Sequence, residues 1–199
     1  QNFEQQNACM AETRRRGIMA GSELGRFWAM AESDYFSSTD WCEDRLTNVP
    51  TVGAPAPVGE PIPLFQLVFH DCYVSSFMGG GYAVYEVGSD WWADRTPRLY
   101  ELLFTAAPAY NWLPGGRVPV DWDSAATQRR CAWLKRWSAY YRAIAMSEMV
   151  SHQFLCLDRT QQRIEFADGV AAEFNMAANQ FRVIGIEGFS GQWETPEAL

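Results

Sequence analysis

The sequence predicts an α/β fold in which a region of alternating helices and strands is followed by a small antiparallel β-unit. The first observation is that apolar runs and helical segments alternate along residues 1–150, as they do in repeated βα units. The second is that two alternating runs near the C-terminus flank Asp168 and Gly169, a strong signal for a two-residue hairpin. We therefore expect two domains, at residues 1–150 and 151–199.

The N-terminal region begins with a predicted helix and a buried strand. Residues 3–16 are rich in Glu, Gln, Ala and Arg and contain neither Gly nor Pro, which favours a helix that ends at Gly17. The short apolar stretch 17–21 follows as a strand. A proline-rich stretch at 48–63 excludes regular structure, and the apolar run Leu64–Phe69 after it predicts a central strand.

The clearest helix in the sequence is predicted at residues 123–150, with Asp123 or Ser124 as its N-cap. Before it, residues 91–104 have the spacing of an amphipathic helix and residues 109–113 form a short strand. The long helix is expected to pack against a core through one face, which carries Leu134, Trp137, Tyr141, Ile144 and Ala145.

The C-terminal region changes to short alternating runs, which predict strands. The runs at 162–167 and 170–176 form the two arms of the predicted hairpin. Residues 181–186 offer a third strand. These strands together predict a small antiparallel sheet.

Composition excludes several classes of partner. Sixteen Lys and Arg against twenty-four Asp and Glu give a net charge of −8, so neither a nucleic acid nor an anionic membrane surface is expected to bind. The sequence has no run of about 18 apolar residues that could span a membrane. Its five cysteines are scattered without a close pair, which predicts buried free thiols rather than a disulfide scaffold or a metal site. No cofactor is expected.

Ionisable residues follow two of the predicted strands, where the functional side chains of βα folds gather. Glu23 follows the first strand, and His70 with Asp71 follows the second. Aromatic residues, Trp28 among them, come soon after Glu23. A carboxyl group in an aromatic cleft can keep its proton near neutral pH because burial disfavours the anion, and aromatic faces stack on sugar rings. These residues suggest a carbohydrate cleft with Glu23 as a general acid.

Each of these residues also has a structural interpretation. Glu23 could be a helix cap or an ion-pair partner, and His70 could satisfy the backbone of a loop. The aromatic excess could be core. His152, the other histidine, is interpreted as structural.

Residues 69–74, with the sequence FHDCYV, resemble the distal-histidine motif of plant-type haem peroxidases. That family has an arginine four residues before the histidine, where this chain has Gln66. The family is also almost entirely helical, whereas Leu64–Phe69 is predicted to be a strand. Both differences argue against a peroxidase.

A longer series of motifs covers most of the chain. It comprises residues 18–23 (IMAGSE), Trp28, Tyr35 with Phe36, residues 63–71 (PLFQLVFHD), Leu102 with Leu103 before residues 107–108, and residues 151–155 (SHQFL). In order and spacing, this series resembles the later part of the catalytic barrel and the adjoining β-domain of retaining glycoside hydrolases. The resemblance is to the endo-α-N-acetylgalactosaminidase and α-N-acetylgalactosaminidase type and its relatives.

The resemblance implies a fold and a set of roles. The fold is the C-terminal part of a (β/α)8 barrel followed by a small antiparallel β-domain, the start of a β-sandwich-like domain. Glu23 matches the general acid/base, which protonates the glycosidic oxygen and later deprotonates the attacking water. His70 and Asp71 would line the sugar subsite, and Trp28 would form a wall of the same cleft.

The resemblance also implies that the chain is the C-terminal fragment of a longer glycosidase. In such enzymes the nucleophile is an Asp at the end of the strand before the one that carries the acid/base, a position that would fall before Gln1. A complete barrel takes about 250 residues. Asp34 and Asp71 are alternative nucleophiles that the strand order does not support. The isolated chain is expected to lack hydrolytic activity and to associate with itself through exposed strand edges.

Two functions are therefore expected from different classes. The first is an O-glycosidase fragment that acts on a glycan, and a glycan substrate suggests a secreted or periplasmic parent protein. The alternative is a non-catalytic carbohydrate-binding or interaction module built on the same aromatic-rich scaffold.

Overall fold

The computed structural model of the protein combines helices with a short parallel sheet and a four-stranded antiparallel sheet. The residues that the structure describes are 2–22, 27–37, 62–76, 99, 102–105, 107 and 121–196. The α-helices are α1 (Asn2–Arg15), α2 (Leu64–Phe69) and α3 (Ala125–Ile144), and 3-10 helices lie at Phe27–Glu32 and His70–Cys72. The strands are β1 (Gly21–Ser22), β2 (Tyr35–Ser37), β3 (Val74–Ser76), β4 (Met149–Phe154), β5 (Gln161–Phe166), β6 (Ala171–Asn175) and β7 (Gln180–Ile184).

The strands β1, β2 and β3 form a parallel sheet in chain order. Tyr35 pairs with Gly21 on one side and with Val74 on the other. The amide of Ala107 donates to the carbonyl of Ser75 at 2.6 Å, so the chain returns beside β3. Parallel neighbours in chain order are the arrangement that successive βα units produce.

The start of the chain follows the prediction only in part. The predicted N-terminal helix is confirmed as α1, and Gly17 ends it with a left-handed φ of +74° that favours glycine. The strand predicted at 17–21 begins only at Gly21. Ile18 and Met19, expected to be buried, are exposed. The predicted and the observed strand therefore share only Gly21.

The prediction of a central strand at Leu64–Phe69 is wrong, because these residues form α2. The burial pattern is helical: Leu64 and Val68, four residues apart, are exposed, whereas Phe65 and Gln66 are buried. The strand of this region is β3, which begins five residues after α2 ends. A six-residue apolar run is compatible with either structure, so periodicity alone could not decide between them.

The long helix is confirmed as α3, which Ser124 caps by accepting a hydrogen bond from the Thr127 amide at 3.2 Å. It ends at Ile144 rather than at Val150, because β4 begins at Met149. The buried face is also turned slightly from the predicted one, since Leu134 and Tyr141 are only half-buried. The fully buried side chains are Trp133, Trp137, Tyr140 and Ile144.

The antiparallel sheet has the strand order β4-β5-β6-β7. The predicted hairpin is confirmed, but its loop has three residues, 167–169, rather than two, because the Phe166 amide donates to the Val170 carbonyl. Gly169 takes a φ of +87° in this loop. The third predicted strand is confirmed as β7. The first strand, β4, was not predicted, and it is antiparallel to β5 with an irregularity between Met149 and Ser151.

The main core lies between α3 and one face of the antiparallel sheet. Trp133 meets Phe181 of β7 edge-to-face at 5.8 Å between ring centroids. Leu99, Leu102 and Leu103 join the same core. A smaller core lies beside the parallel sheet and contains Ala29, Phe36, Phe65 and Tyr73.

Some predictions fall on residues outside the described part of the chain. They are the strand at 109–113, most of the proline-rich stretch at 48–63 and most of the helix at 91–104. Of the described cysteines, all are free as predicted, but Cys9 and Cys72 are exposed rather than buried. Within the described residues, no helix is both long and apolar enough to cross a membrane.

Candidate functional site

The last residues of the three parallel strands lie along one edge of their sheet. These residues are Ser22, Ser37 and Ser76. The register keeps the strands level, because Ser37 pairs with Ser76 and Ser22 pairs with Phe36. In βα folds, the loops that leave this edge carry the functional side chains. We call it the C-terminal edge and treat it as the candidate site.

Two of the predicted site residues belong to the segment that leaves the C-terminal edge after β1. Glu23 is joined directly to Ser22 but lies outside the described residues, so its role as general acid/base stays a prediction. Trp28 is part of the 3-10 helix Phe27–Glu32, which connects β1 to β2. Its side chain also lies outside the described part, so its predicted place in the cleft stays a prediction.

His70 lies at the junction between α2 and the antiparallel sheet rather than at the C-terminal edge. Its side chain is buried, and its ring packs against Phe166 of β5 at 5.2 Å between ring centroids. Its Nδ1 lies 2.6 Å from the carbonyl oxygen of Ser147. Because a carbonyl only accepts, Nδ1 carries the proton of this hydrogen bond.

The electrostatic setting of His70 favours the neutral ring. Burial lowers the pKa of His70 below its ordinary value, and this is the largest effect. The hydrogen bond to Ser147 and the negative charges of Asp71 and Asp168 act in the opposite direction. A neutral imidazole that donates to a carbonyl and packs on an aromatic ring is suited to joining two parts of a fold.

His70 and Asp71 precede β3 rather than follow a strand, so they do not lie at the C-terminal edge. Asp71 is exposed and accepts a hydrogen bond from the Cys72 thiol at 3.3 Å. The reason for expecting these two residues at a strand end was the predicted strand at Leu64–Phe69, which is a helix. Their role in a sugar subsite stays a prediction that depends on the sequence resemblance alone.

The same geometry bears on the peroxidase resemblance. Since residues 64–69 are helical, the predicted strand no longer argues against it. Gln66 still occupies the position where that family has an arginine. His70 is buried, hydrogen-bonded to Ser147 and packed against Phe166.

Asp34, an alternative nucleophile by sequence, immediately precedes β2 and therefore lies at the N-terminal edge of the sheet. Its carboxylate accepts a hydrogen bond from the Ala20 amide at 3.0 Å and pairs with Arg14 at 3.2 Å. Both carboxylate oxygens are therefore engaged at the N-terminal edge, whereas Glu23 follows the last residue of β1 in the chain. This position does not suit a nucleophile that acts together with Glu23.

A second group of charged residues lies on the face of the antiparallel sheet that points away from α3. Glu173 is almost fully buried there and pairs with Arg163 and Arg182, each at 2.6 Å. Arg163 also pairs with Glu165, which lowers the pKa of that carboxyl group. Arg182 stacks over the ring of Trp193 at 4.9 Å. Because each carboxylate is paired with arginine, this group is suited to holding the sheet rather than to acid/base chemistry.

Sequence reasoning named Tyr141 and His152 but missed the contact by which Tyr141 joins α3 to the parallel sheet. Burial raises the pKa of Tyr141 on α3 to about 12, and this hydroxyl lies beside the Ser75 backbone of β3. Nε2 of His152 donates to Oε1 of Gln162 at 2.8 Å, which fits its structural interpretation. Among the described residues, no group of three or more His, Cys, Asp or Glu is arranged to hold a metal ion.

Comparison with solved structures identifies similar folds. The chain superposes on a quadruple mutant of the α-N-acetylgalactosaminidase NagBb from Bifidobacterium bifidum with a TM-score of 0.66 and 26% identity, over 92% of this chain and 26% of that one. It superposes on the same enzyme in complex with GalNAc with a TM-score of 0.64 and 27% identity, over 92% of this chain and 27% of that one.

These neighbours show that the chain has a glycoside hydrolase-like fold. The chain spans about a quarter of the length of the enzymes it superposes on. No family model matches it, and no curated protein sequence matches it either. The structural neighbours therefore support the glycosidase resemblance that the series of motifs suggested.

Proposed function

We propose that the protein is a glycoside hydrolase that removes α-linked N-acetylgalactosamine with retention of configuration. The observation that carries this proposal is the superposition of 92% of the chain on an α-N-acetylgalactosaminidase. The sugar is taken from that neighbour's name. The order of the parallel strands, with α3 beside β3 through Tyr141, supports a place for residues 1–150 in a (β/α)8 barrel. Residues 151–199 would then begin the adjoining β-domain.

The proposed chemistry uses Glu23 as the general acid/base. A carboxylate nucleophile attacks the anomeric carbon while Glu23 donates its proton to the glycosidic oxygen, and the bond to the aglycone breaks. Glu23 then takes a proton from water, which attacks the glycosyl ester and releases the sugar and the free nucleophile. We expect the nucleophile on the strand before β1, about 5 Å from Glu23.

The position of each remaining candidate decides its place in this proposal. Trp28 stays a candidate wall of the cleft, because it follows Glu23 in the connection between β1 and β2. We leave His70 and Asp71 out of the cleft, since both precede β3. Asp34 is left out as a nucleophile for the same reason.

The complete gene product tests the role of Glu23 directly. In Glu23→Ala, kcat/KM should collapse for glycosides with poor leaving groups and fall much less for activated aryl glycosides, which leave without a proton. Azide should partly restore turnover and give the glycosyl azide of retained configuration. Glu12→Ala, which removes an exposed glutamate on α1, is the matched control and should behave as wild type.

Other outcomes would contradict the proposal. Equal losses on both classes of glycoside would count against an acid/base role for Glu23. A wild-type protein that binds the sugar without hydrolysing it, with binding unchanged in Glu23→Ala, would favour the carbohydrate-binding module instead.

A further inference from the structure

Asp34 ties together four segments at the N-terminal edge of the parallel sheet. Its amide donates to the carbonyl of Ala20 at 2.8 Å, and its carboxylate accepts from the amide of the same residue at 3.0 Å. Its carbonyl accepts from the amide of Val74 at 3.0 Å, at the start of β3. Its other carboxylate oxygen pairs with Arg14 of α1 at 3.2 Å.

The position of β1 depends strongly on these contacts. β1 has only two residues, so its ladder with β2 supplies few hydrogen bonds. Asp34 is hydrogen-bonded to both the amide and the carbonyl of Ala20. Ala20 directly precedes β1 and is 5% exposed. A buried amide that loses its acceptor is destabilising, because nothing replaces the hydrogen bond it made with water in the unfolded chain. The side chain of Asp34 therefore fixes the start of β1.

The helix α1 holds Asp34 in turn. Arg14 donates to the carbonyl of Ala31 at 2.7 Å as well as pairing with Asp34. Ala31 belongs to the 3-10 helix between β1 and β2. Arg14 therefore joins α1 to the connection that runs from the candidate acid/base back to Asp34.

We infer that Asp34 is a positioning residue for Glu23. Glu23 follows Ala20 by three residues, with β1 between them, so a shift at Ala20 is passed along β1 to the C-terminal edge. This inference rests on the proposed function, because it assigns Glu23 its acid/base role. Asp34 does not touch the substrate in this account.

Two substitutions separate the hydrogen bond to Ala20 from the charge. Asp34→Asn keeps a carbonyl oxygen that can accept from the Ala20 amide but removes the ion pair with Arg14. Asp34→Ala removes both. Glu12→Gln is the matched control, because it removes exposed ion pairs with Arg15 and Arg16 on the same helix without touching β1.

The readout is kcat/KM of the complete gene product for an alkyl and for an activated aryl N-acetylgalactosaminide. In Asp34→Ala, the value for the alkyl glycoside should fall by up to about 100-fold, as expected for a displaced catalytic group, while the value for the aryl glycoside changes little. Asp34→Asn should lose less, and Glu12→Gln should match wild type. Equal losses on both glycosides, or no loss in Asp34→Ala, would overturn the inference.

Amide hydrogen exchange tests whether the Asp34 side chain protects the Ala20 amide, and it needs no measurement of enzyme activity. Exchange at Ala20 should speed up in Asp34→Ala and remain near wild type in Asp34→Asn and Glu12→Gln. Unchanged exchange at Ala20 in Asp34→Ala would overturn the inference by itself. An inactive wild-type protein would refute the proposed function, whereas an active one with equal losses in Asp34→Ala would refute only the positioning role.

Discussion

Replacing His70 should change how the stability of the protein depends on pH. The ring is buried between α2 and the antiparallel sheet, where Nδ1 donates to the Ser147 carbonyl at 2.6 Å. Burial is the main reason that the pKa of His70 is lowered. The folded protein therefore binds a proton at this site less readily than the unfolded chain does.

The sign of the effect follows from this difference. The stabilisation is fully present above the ordinary histidine pKa of about 6.5 and is lost as the pH falls from there through the lowered pKa of the folded state. Between these two pKa values, the free energy of unfolding falls with decreasing pH by at most about 1.4 kcal/mol per pH unit for one proton. Asp71 and Asp168 favour the protonated ring and so reduce the effect.

Urea unfolding between about pH 8 and about pH 5.5, a range that brackets the ordinary histidine pKa, measures this slope. In His70→Gln, an amide can still donate to Ser147, so the variant should fold, and its stability should depend less on pH than that of wild type. His152→Gln is the matched control, because His152 is the other histidine and burial lowers its pKa too. The double variant should have the weakest dependence.

One result would refute this reasoning. If His70→Gln and wild type lost stability in parallel over the whole pH range, His70 would not titrate with a lowered pKa.

The same substitution removes the ring contact with Phe166, so it should also lower the free energy of unfolding at neutral pH, by about 1 kcal/mol.

Two further predictions concern the stability of the antiparallel sheet and of α3, both measured by urea unfolding. Glu173→Gln should lower the free energy of unfolding by about 3 kcal/mol, because it leaves two partly buried arginines without their shared carboxylate. Glu165→Gln, at a more exposed position, should cost much less than Glu173→Gln, and equal losses would contradict this account. Ser124→Ala should cost about 1 kcal/mol through loss of the cap on Thr127, whereas Asp123→Ala should cost much less.

The elements that sequence predicted well have strong local signals. α3 has a capping serine and a long apolar face, and Asp168 with Gly169 is a residue pair that hairpin turns favour. α2 was misassigned because the six apolar residues of Leu64–Phe69 fit a strand as well as a helix. Pro63, directly before the run, was the helix-start signal that the sequence contained.

The site was harder to predict than the elements. Once Leu64–Phe69 is a helix, His70 precedes a strand instead of following one, and its partners Ser147 and Phe166 are distant in sequence. No local sequence pattern predicts a contact between residues so far apart in the chain. Likewise, the hydrogen bonds of Asp34 to Ala20 depend on how β1 and β2 pair, which the sequence alone does not specify.

The stereochemistry of hydrolysis tests the central claim most directly. The complete gene product would be incubated with an aryl α-N-acetylgalactosaminide, and proton NMR would follow the anomer of the sugar released first. The account predicts the α-anomer first, with the β-anomer appearing only through mutarotation, and no early product in Glu23→Ala from a glycoside with a poor leaving group. Initial release of the β-anomer, or no hydrolysis by the wild-type protein, would contradict it.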